Sequence, residues 1–407
     1  VRALPLLGVG GRQRVRFARQ RLGAGDDLGS ALGGVAAAFS ALLQQPDNQA
    51  AQSAVVARAQ ALAGKANALS AAYAEQRQGA HDDLGRAVAE LNGALSAIGA
   101  LNTQIVALRS GGASTADLEN MRDAQLRTVS KLVGARAVVR EDGSMLVATL
   151  GGLALPTRAG QALSIAPANL GDQTYYPGGG VPGVALAGQD VTAQLTGGRI
   201  GGDLALRDRM LPMFQAQLDE FAATLASRFD GQGLALFVDP AGAVPGAGAH
   251  VGFAAGMRVA ADVAADPALT RDGNRTVAGS PTGPSAFVPN PAGGPAGFSK
   301  LIQRVLDHAL GTEVQPGVAH APPAVSGRGP RGDISFPFAP PASLADFATA
   351  VASAQSGASA DISDRLGTQQ ALRDRLSSRL STQSGASMSP SSATCWRCRT
   401  PTRPTRG

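Results

Sequence analysis

Cysteine is almost absent from this chain. The 407 residues contain two, Cys395 and Cys398, both close to the C-terminal end, which excludes a disulfide-stapled framework. Histidine is nearly as scarce. None of the four, His81, His250, His308 and His320, has a second histidine, a cysteine or a carboxylate at metal-ligand spacing, and His81 beside Asp82 and Asp83 reads as a solvated helix face. Aromatic residues make up 4% of the chain and charged residues 16%. No uninterrupted apolar run reaches the roughly 18 residues that a membrane helix needs, and no basic head with an apolar stretch opens the chain. Neither a membrane span nor a cleaved signal peptide is expected. The 52 glycines and 25 prolines follow no period, so a collagen-like structure is excluded as well.

The formal charge of +6 invites a nucleic-acid reading, but its distribution opposes one. Residues 1–22 hold six arginines and no acid, and residues 386–407 hold four more, again without an acid. The stretch between them is mildly acidic, whereas a nucleic-acid binder needs its basic stripe on a folded face. No nucleic-acid partner is expected.

Helix signals dominate both ends of that stretch. Leu28, Leu32, Val35, Phe39 and Leu42 recur at three to four residues until Pro46 stops them. Asn48 can cap a second helix that meets no proline before Ser110 and carries Leu62, Leu69, Val88, Leu91, Leu95, Ile98 and Ile105 as an apolar stripe. A third helix is expected from Thr115 or Asp117 to about Leu132. Strands are expected at 135–140, 144–149 and 161–165, the first two joined by a turn at 141–143. Another helix is expected from about Asp203 to Arg228. The stretch 231–342 holds 15 of the 25 prolines and reads as short strands between long loops. Residues 343–384 return to a helical pattern that includes Ile362, Leu366, Leu376 and Leu380.

The fold class expected is α+β: an elongated antiparallel helical rod built from N- and C-terminal helices, with a loop-rich β domain inserted between them. In segments, 1–25 is a basic irregular lead and 26–165 the first half of the rod with its hairpin. Residues 166–202 form a β segment, 203–230 a rod helix, 231–342 the Gly/Pro-rich β domain and 343–385 the second half of the rod. Residues 386–407 form a disordered tail. The stripe of the long helix is expected to pack against Ile362, Leu366, Leu376 and Leu380, because a helix of that length needs partner helices to cover it.

Motifs for chemistry are few and fail on context. No serine occupies a nucleophile elbow. Gly178–Gly183 matches G-x-G-x-x-G, but Pro182 and the glycines around it do not open a helix that could hold a phosphate. Cys395-Trp396-Arg397-Cys398 lies in a Ser/Thr/Pro/Arg tail and not at a helix start after a strand. Arg331-Gly332-Asp333 and the sequon Asn274-Arg275-Thr276 are short enough to arise by chance. No catalytic residue, cofactor or metal is expected.

One pattern remains. Gly197-Gly198-Arg199-Ile200-Gly201-Gly202 is followed by Arg207-Asp208, then by Leu211-Pro212 and Leu218-Asp219. This order resembles the flagellar hook-associated protein 1 family, in which G-x-x-G-G-x-x-x-x-R-D leads into a helix with L-P and L-D. Asp117-Leu118-Glu119-Asn120-Met121-Arg122-Asp123 is similar to the family's D-L-x-D-x-R-D. Ile98 with Leu101-Asn102-Thr103-Gln104-Ile105 resembles its I-x-x-L-N-x-Q-I, and Asp142-Gly143 stands where it has a D-G hairpin. The resemblance covers about residues 26–385. It implies a structural subunit that joins hook to filament, is exported by the flagellar type III route, and has hook protein, a second hook-associated protein and flagellin as partners. The ends depart from the family. Its opening S-N-N-I-A-N motif is missing, and its closing helix is replaced by the Arg-rich tail. Read one frame over with permitted codons from Gly385 onward, that tail is compatible with the family's terminal helix, which points to a frameshift. The chain is therefore expected to be monomeric and defective in assembly. The rival readings are a secreted adhesin that uses the β region and a dithiol oxidoreductase.

Overall fold

The computed structural model describes residues 28–361 apart from 159, 247, 249 and 359. The chain divides into two compact units, Val1–Ala360 and Asp361–Gly407, and all that follows concerns the first. The fold class is α+β. Ile362, Leu366, Leu376, Leu380, Cys395 and Cys398 lie outside the described residues.

Helix α1 (Leu28–Gln44) buries Leu28, Leu32, Val35, Phe39 and Leu42, the stripe read from the sequence. After the turn at Pro46, the side-chain amide oxygen of Asn48, Oδ1, accepts from the backbone amides of Ala50 (2.9 Å) and Ala51 (3.2 Å). Those bonds satisfy two of the orphan donors at the start of α2 (Gln49–Ser110). With 62 residues, α2 is about 93 Å long. One 18-residue window within it reaches a mean hydropathy of 1.3, apolar enough by length and composition to cross a bilayer, with a third of the window buried. The average arises from many alanines and not from an unbroken apolar run, and most of the large apolar residues of α2, from Val55 to Ile105, are buried.

Gly112, at φ +70°, helps turn the chain back into α3 (Ala116–Leu132). Strands β1 (Ala135–Val139) and β2 (Met145–Thr149) pair antiparallel from Ala135 opposite Thr149 to Val139 opposite Met145. Asp142 Oδ1 accepts from the Ser144 amide and hydroxyl, while Gly143 takes φ +86°, a conformation a side chain resists. The inward residues of β2, Met145 and Val147, join Leu84, Val88, Leu91, Leu95 and Ile98 of α2 in one cluster with Val129, Leu132 and Val133. Among the described residues, α3 and the hairpin cover this part of the stripe.

Strands β3 (Leu163–Ile165), β4 (Val184–Leu186) and β5 (Gln189–Asp190) form a three-stranded sheet in that order. The helix expected from Asp203 starts five residues earlier, as α4 (Gly198–Ala205), passes through a π turn (Leu206–Met210) and continues as α5 (Leu211–Gly231). Glycine's low helix propensity hid this start. The glycines serve contact instead: a Cβ on Gly198 would lie 2.6 Å from the backbone of Leu132 and Val133.

The stretch 231–342 also departs from expectation, being richer in short helices than in strands. It contains β6 (Phe237–Val238), α6 (Phe253–Gly256), β7 (Arg258–Val259), α7 (Ala261–Ala265), α8 (Leu269–Asp272) and α9 (Lys300–Arg304). A second π turn (Val305–Ala309) and the pair β8 (Glu313–Gln315) and β9 (Val318–Ala319) follow. Segments such as Ala261–Ala265 lack the β-branched content that favours strands. Gly256, Pro267 and Gly273 lie at or just after the ends of α6, α7 and α8.

A further helix, α10, spans residues 344–360. Ser343 caps it, accepting from the Asp346 amide at 3.0 Å. Phe347 packs edge-on against Phe221 of α5 with ring centres 5.7 Å apart, and the Tyr73 hydroxyl of α2 donates to Gln355 at 2.7 Å. The first turns of α10 therefore touch both long helices.

Candidate functional site

Four side-chain amides along α2 hold four peripheral segments. A carboxamide offers a donor and an acceptor, as a peptide group does, so it can stand in for a neighbouring strand. Asn92 donates to the Leu163 carbonyl (2.8 Å) and accepts from the Leu163 amide (3.0 Å). Asn102 treats Met145 in the same way, at 2.9 Å in both directions. Gln78 donates to the Ala168 carbonyl and accepts from the Leu170 amide. Asn67 donates to the carbonyls of Ala254, Ala255 and Met257. Of these four, only Asn102 stood in a segment singled out from the sequence.

Asn102 also joins three of the segments behind the family resemblance. Buried Arg122 of α3 donates to Asn102 Oδ1 (3.1 Å) and to the Gly143 carbonyl at the hairpin turn (2.7 Å). Asp117 and Asp123 are exposed on the same helix and Leu118 is half-buried, so they take no part in this junction.

A second junction centres on Arg207, which is fully buried. Its guanidinium grips Asp208 with two bonds (2.7 and 2.8 Å), meets His81 Nδ1 at 3.1 Å and donates to the Pro182 carbonyl. The Arg207 carbonyl in turn accepts from Arg77 Nε at 3.0 Å. His81 is thus buried and not the solvated residue that its acidic neighbours suggested. Burial and the nearby Arg207 hold its pKa below the ordinary histidine value.

Gly201 and Gly202 are buried in α4, Leu211 is buried at the start of α5, and Pro212 lies just after the π turn. Further along α5, Asp219 accepts from the amides of Gly252 (3.0 Å) and Ala254 (2.9 Å) and from Gln215 (3.0 Å). Burial pushes its pKa up to about 7. A cleft of about 80 Å³ adjoins it, walled by Tyr73, Tyr175, Glu220, His250 and the loop around Arg328. Arg331 lies over the Tyr175 ring, 5.7 Å from its centre, and pairs with Asp333 at 3.4 Å, so the Arg-Gly-Asp tripeptide is folded onto itself. Asn274 is likewise engaged, accepting from the Ala235 amide and donating to Asp262.

Of the sequence-selected packing residues, Leu62, Leu91, Leu95, Ile98 and Ile105 are at most 1% exposed, and Leu69 and Val88 are also buried. The outer surface is where apolar residues remain open. Val138, Val139, Leu146 and Leu150 of the hairpin region are exposed, as are Leu108 near the end of α2 and Met121 on α3. Val138 and Leu146 are cross-strand partners on its outer face. No group of three or more His, Cys, Asp or Glu residues among the described residues could hold a metal ion.

The model of the flagellar hook-associated protein FlgK helical domain matches residues 22–236, more than half of the chain. The chain belongs to the FlgK family. Four solved chains match it. One is the flagellar hook junction protein FlgK from Burkholderia pseudomallei, at 24% identity and a TM-score of 0.47 over 58% of this chain and 43% of that one. The chain thus spans less than half the length of that FlgK. No curated protein matches. In FlgK-family terms, the matched segment contains both the Asn102–Arg122 and the Arg207–His81 junctions.

Proposed function

We propose that the chain is a structural subunit of the bacterial flagellum that joins hook to filament, working by helix packing and contact with hook protein, a second hook-associated protein and flagellin, without catalysis. The observation that carries this reading is the open apolar surface at 138–150, on a hairpin that Asn102 and Arg122 hold to the helical frame. Exposed apolar residues gathered in one place mark surfaces that meet other proteins. On this reading the chain works outside the cell after type III export, and in isolation it is a monomer that does not polymerise into a tube.

The test is decoration of isolated hook–basal bodies with gold-labelled protein. Binding at the distal hook tip is expected, with loss of binding in Leu146→Asp at an unchanged melting temperature. Equal decoration by both proteins, or decoration nowhere, would overturn the assignment. Sedimentation velocity of the free chain is expected to give a single monomeric species.

A further inference from the structure

Asp219 and Glu220 are neighbours on α5, yet they grip different parts of the chain. Asp219 accepts from the amides of Gly252 and Ala254. Asn67 of α2 takes the carbonyls on the other side of the same segment, so the turn of α6 is held from both long helices. Glu220 accepts from the Ala324 amide at 3.2 Å and faces Arg328 at 3.3 Å and His250 at 3.5 Å. Arg328 also donates to the Gly248 carbonyl, tying the two outer loops to each other. Both carboxylates are at most 4% exposed. Every segment they hold lies beyond residue 236, outside the part matched by the family model.

We propose that Asp219 and Glu220 form a proton-sensitive clasp that fixes residues 250–257 and 324–328 to the helical frame most firmly in acid and slackens as the pH rises through neutral. The geometry makes the two carboxyls the attachment points, and their burial makes the attachment depend on charge. Asp219, ordinarily at 3.8, is pushed to about 7 by burial and by the Asp172 charge, against the pull of its three donors. Glu220 is raised by burial, with Arg328 and the Ala324 amide opposing. A carboxyl raised in the closed clasp favours closure while it holds its proton. Its contribution is full below its free value and is lost as pH climbs through the raised one. His250 works against this. Burial and Arg328 lower its pKa, so its contribution is present above 6.5 and is lost as pH falls through the lowered value.

The remaining charged groups facing the cleft are already engaged. Arg77 donates to the carbonyls of Arg207, Gly171 and Thr174. Asp208 is held by Arg207, and Arg331 by Asp333. Tyr73 is pushed above its ordinary value by burial, which keeps its hydroxyl neutral.

Hydrogen exchange of the full chain at pH 6 and pH 8, corrected for intrinsic rates, tests the clasp at the amides of residues 250–257. In His250→Asn, where the carboxyls act without the histidine, protection is expected to be about tenfold greater at pH 6 than at pH 8. The wild type should show a smaller gain of the same sign, and Glu220→Gln, which leaves Asp219 in place, should retain a gain. Asp219→Asn should show a gain toward acid smaller than the wild type's. Equal protection at both values in His250→Asn, or an undiminished gain in Asp219→Asn with native circular dichroism, would overturn the proposal. Should Asp219→Asn fail to fold, the His250→Asn and Glu220→Gln results decide it.

Discussion

The side chain of Asn102 and the backbone of Met145 exchange two hydrogen bonds, each 2.9 Å long, so a residue of the long helix completes the edge of a hairpin strand. Arg122 adds a third bond to the same Asn102 oxygen. Replacing Asn102 with Ala removes the shared partner and leaves the Met145 amide, the Met145 carbonyl and one Arg122 N–H unanswered in a part-buried place. Unpaired buried groups of this kind cost roughly 1–3 kcal/mol. Urea unfolding of Asn102→Ala is expected to show a loss of that size, with the amides of 135–149 exchanging first. A midpoint within error of the wild type would show that water replaces the carboxamide without cost.

Leu95 has 1% of its surface exposed and sits in the cluster shared by α2, α3 and the hairpin. Leu95→Ala is expected to lower stability by about 2–5 kcal/mol, the range for large-to-small changes in a packed core. Denaturant titration measures it directly. Unchanged helicity and melting temperature would mean that this part of the stripe carries no packing energy.

Gly198→Ala tests the helix start that the sequence concealed. Gly198 has φ +60°, and an added Cβ would meet the backbone of Leu132 and Val133 at 2.6 Å. Backbone cannot swing away as a side-chain tip can, so a loss of about 2 kcal/mol or more is expected from the left-handed conformation and the clash together. Gly93→Ala is the control. It is helical with nothing within 4 Å of the added atom, and it should stabilise the helix by about 0.5–1 kcal/mol.

The long helix was legible because its signals are local. Asn48 caps it, no proline interrupts it before Ser110, and its large apolar residues recur with the period of a helix. The hairpin was legible for the same reason, through Asp142 and Gly143 at the turn. The start at Gly198 was not, since six residues with four glycines look like loop until Leu132 and Val133 are seen beside them. The amide anchors were missed although a signal existed: Asn92 and Asn102 directly follow Leu91 and Leu101, at the margin of the buried stripe. A polar residue that edges such a stripe needs a partner, and its identity is set by the strands folded across it.

His81 shows the same limit from the charge side, because its partner Arg207 is 126 residues away while its acidic neighbours are adjacent. Held neutral by burial and by Arg207, it can accept from the guanidinium only while unprotonated. A histidine whose pKa is lower in the folded state than in the unfolded chain contributes stability that is present above 6.5 and is lost as pH falls through the lowered value. The difference in melting temperature between the wild type and His81→Gln, measured from pH 8 down to pH 5, is therefore expected to shrink toward acid, since glutamine can accept from Arg207 without titrating. The ring signals of His81 should titrate below 6.5 by nuclear magnetic resonance. A difference that stays constant across the range, or a titration point above 6.5, would mean that His81 is charged in the fold and that Arg207 relies on Asp208 and the Pro182 carbonyl alone.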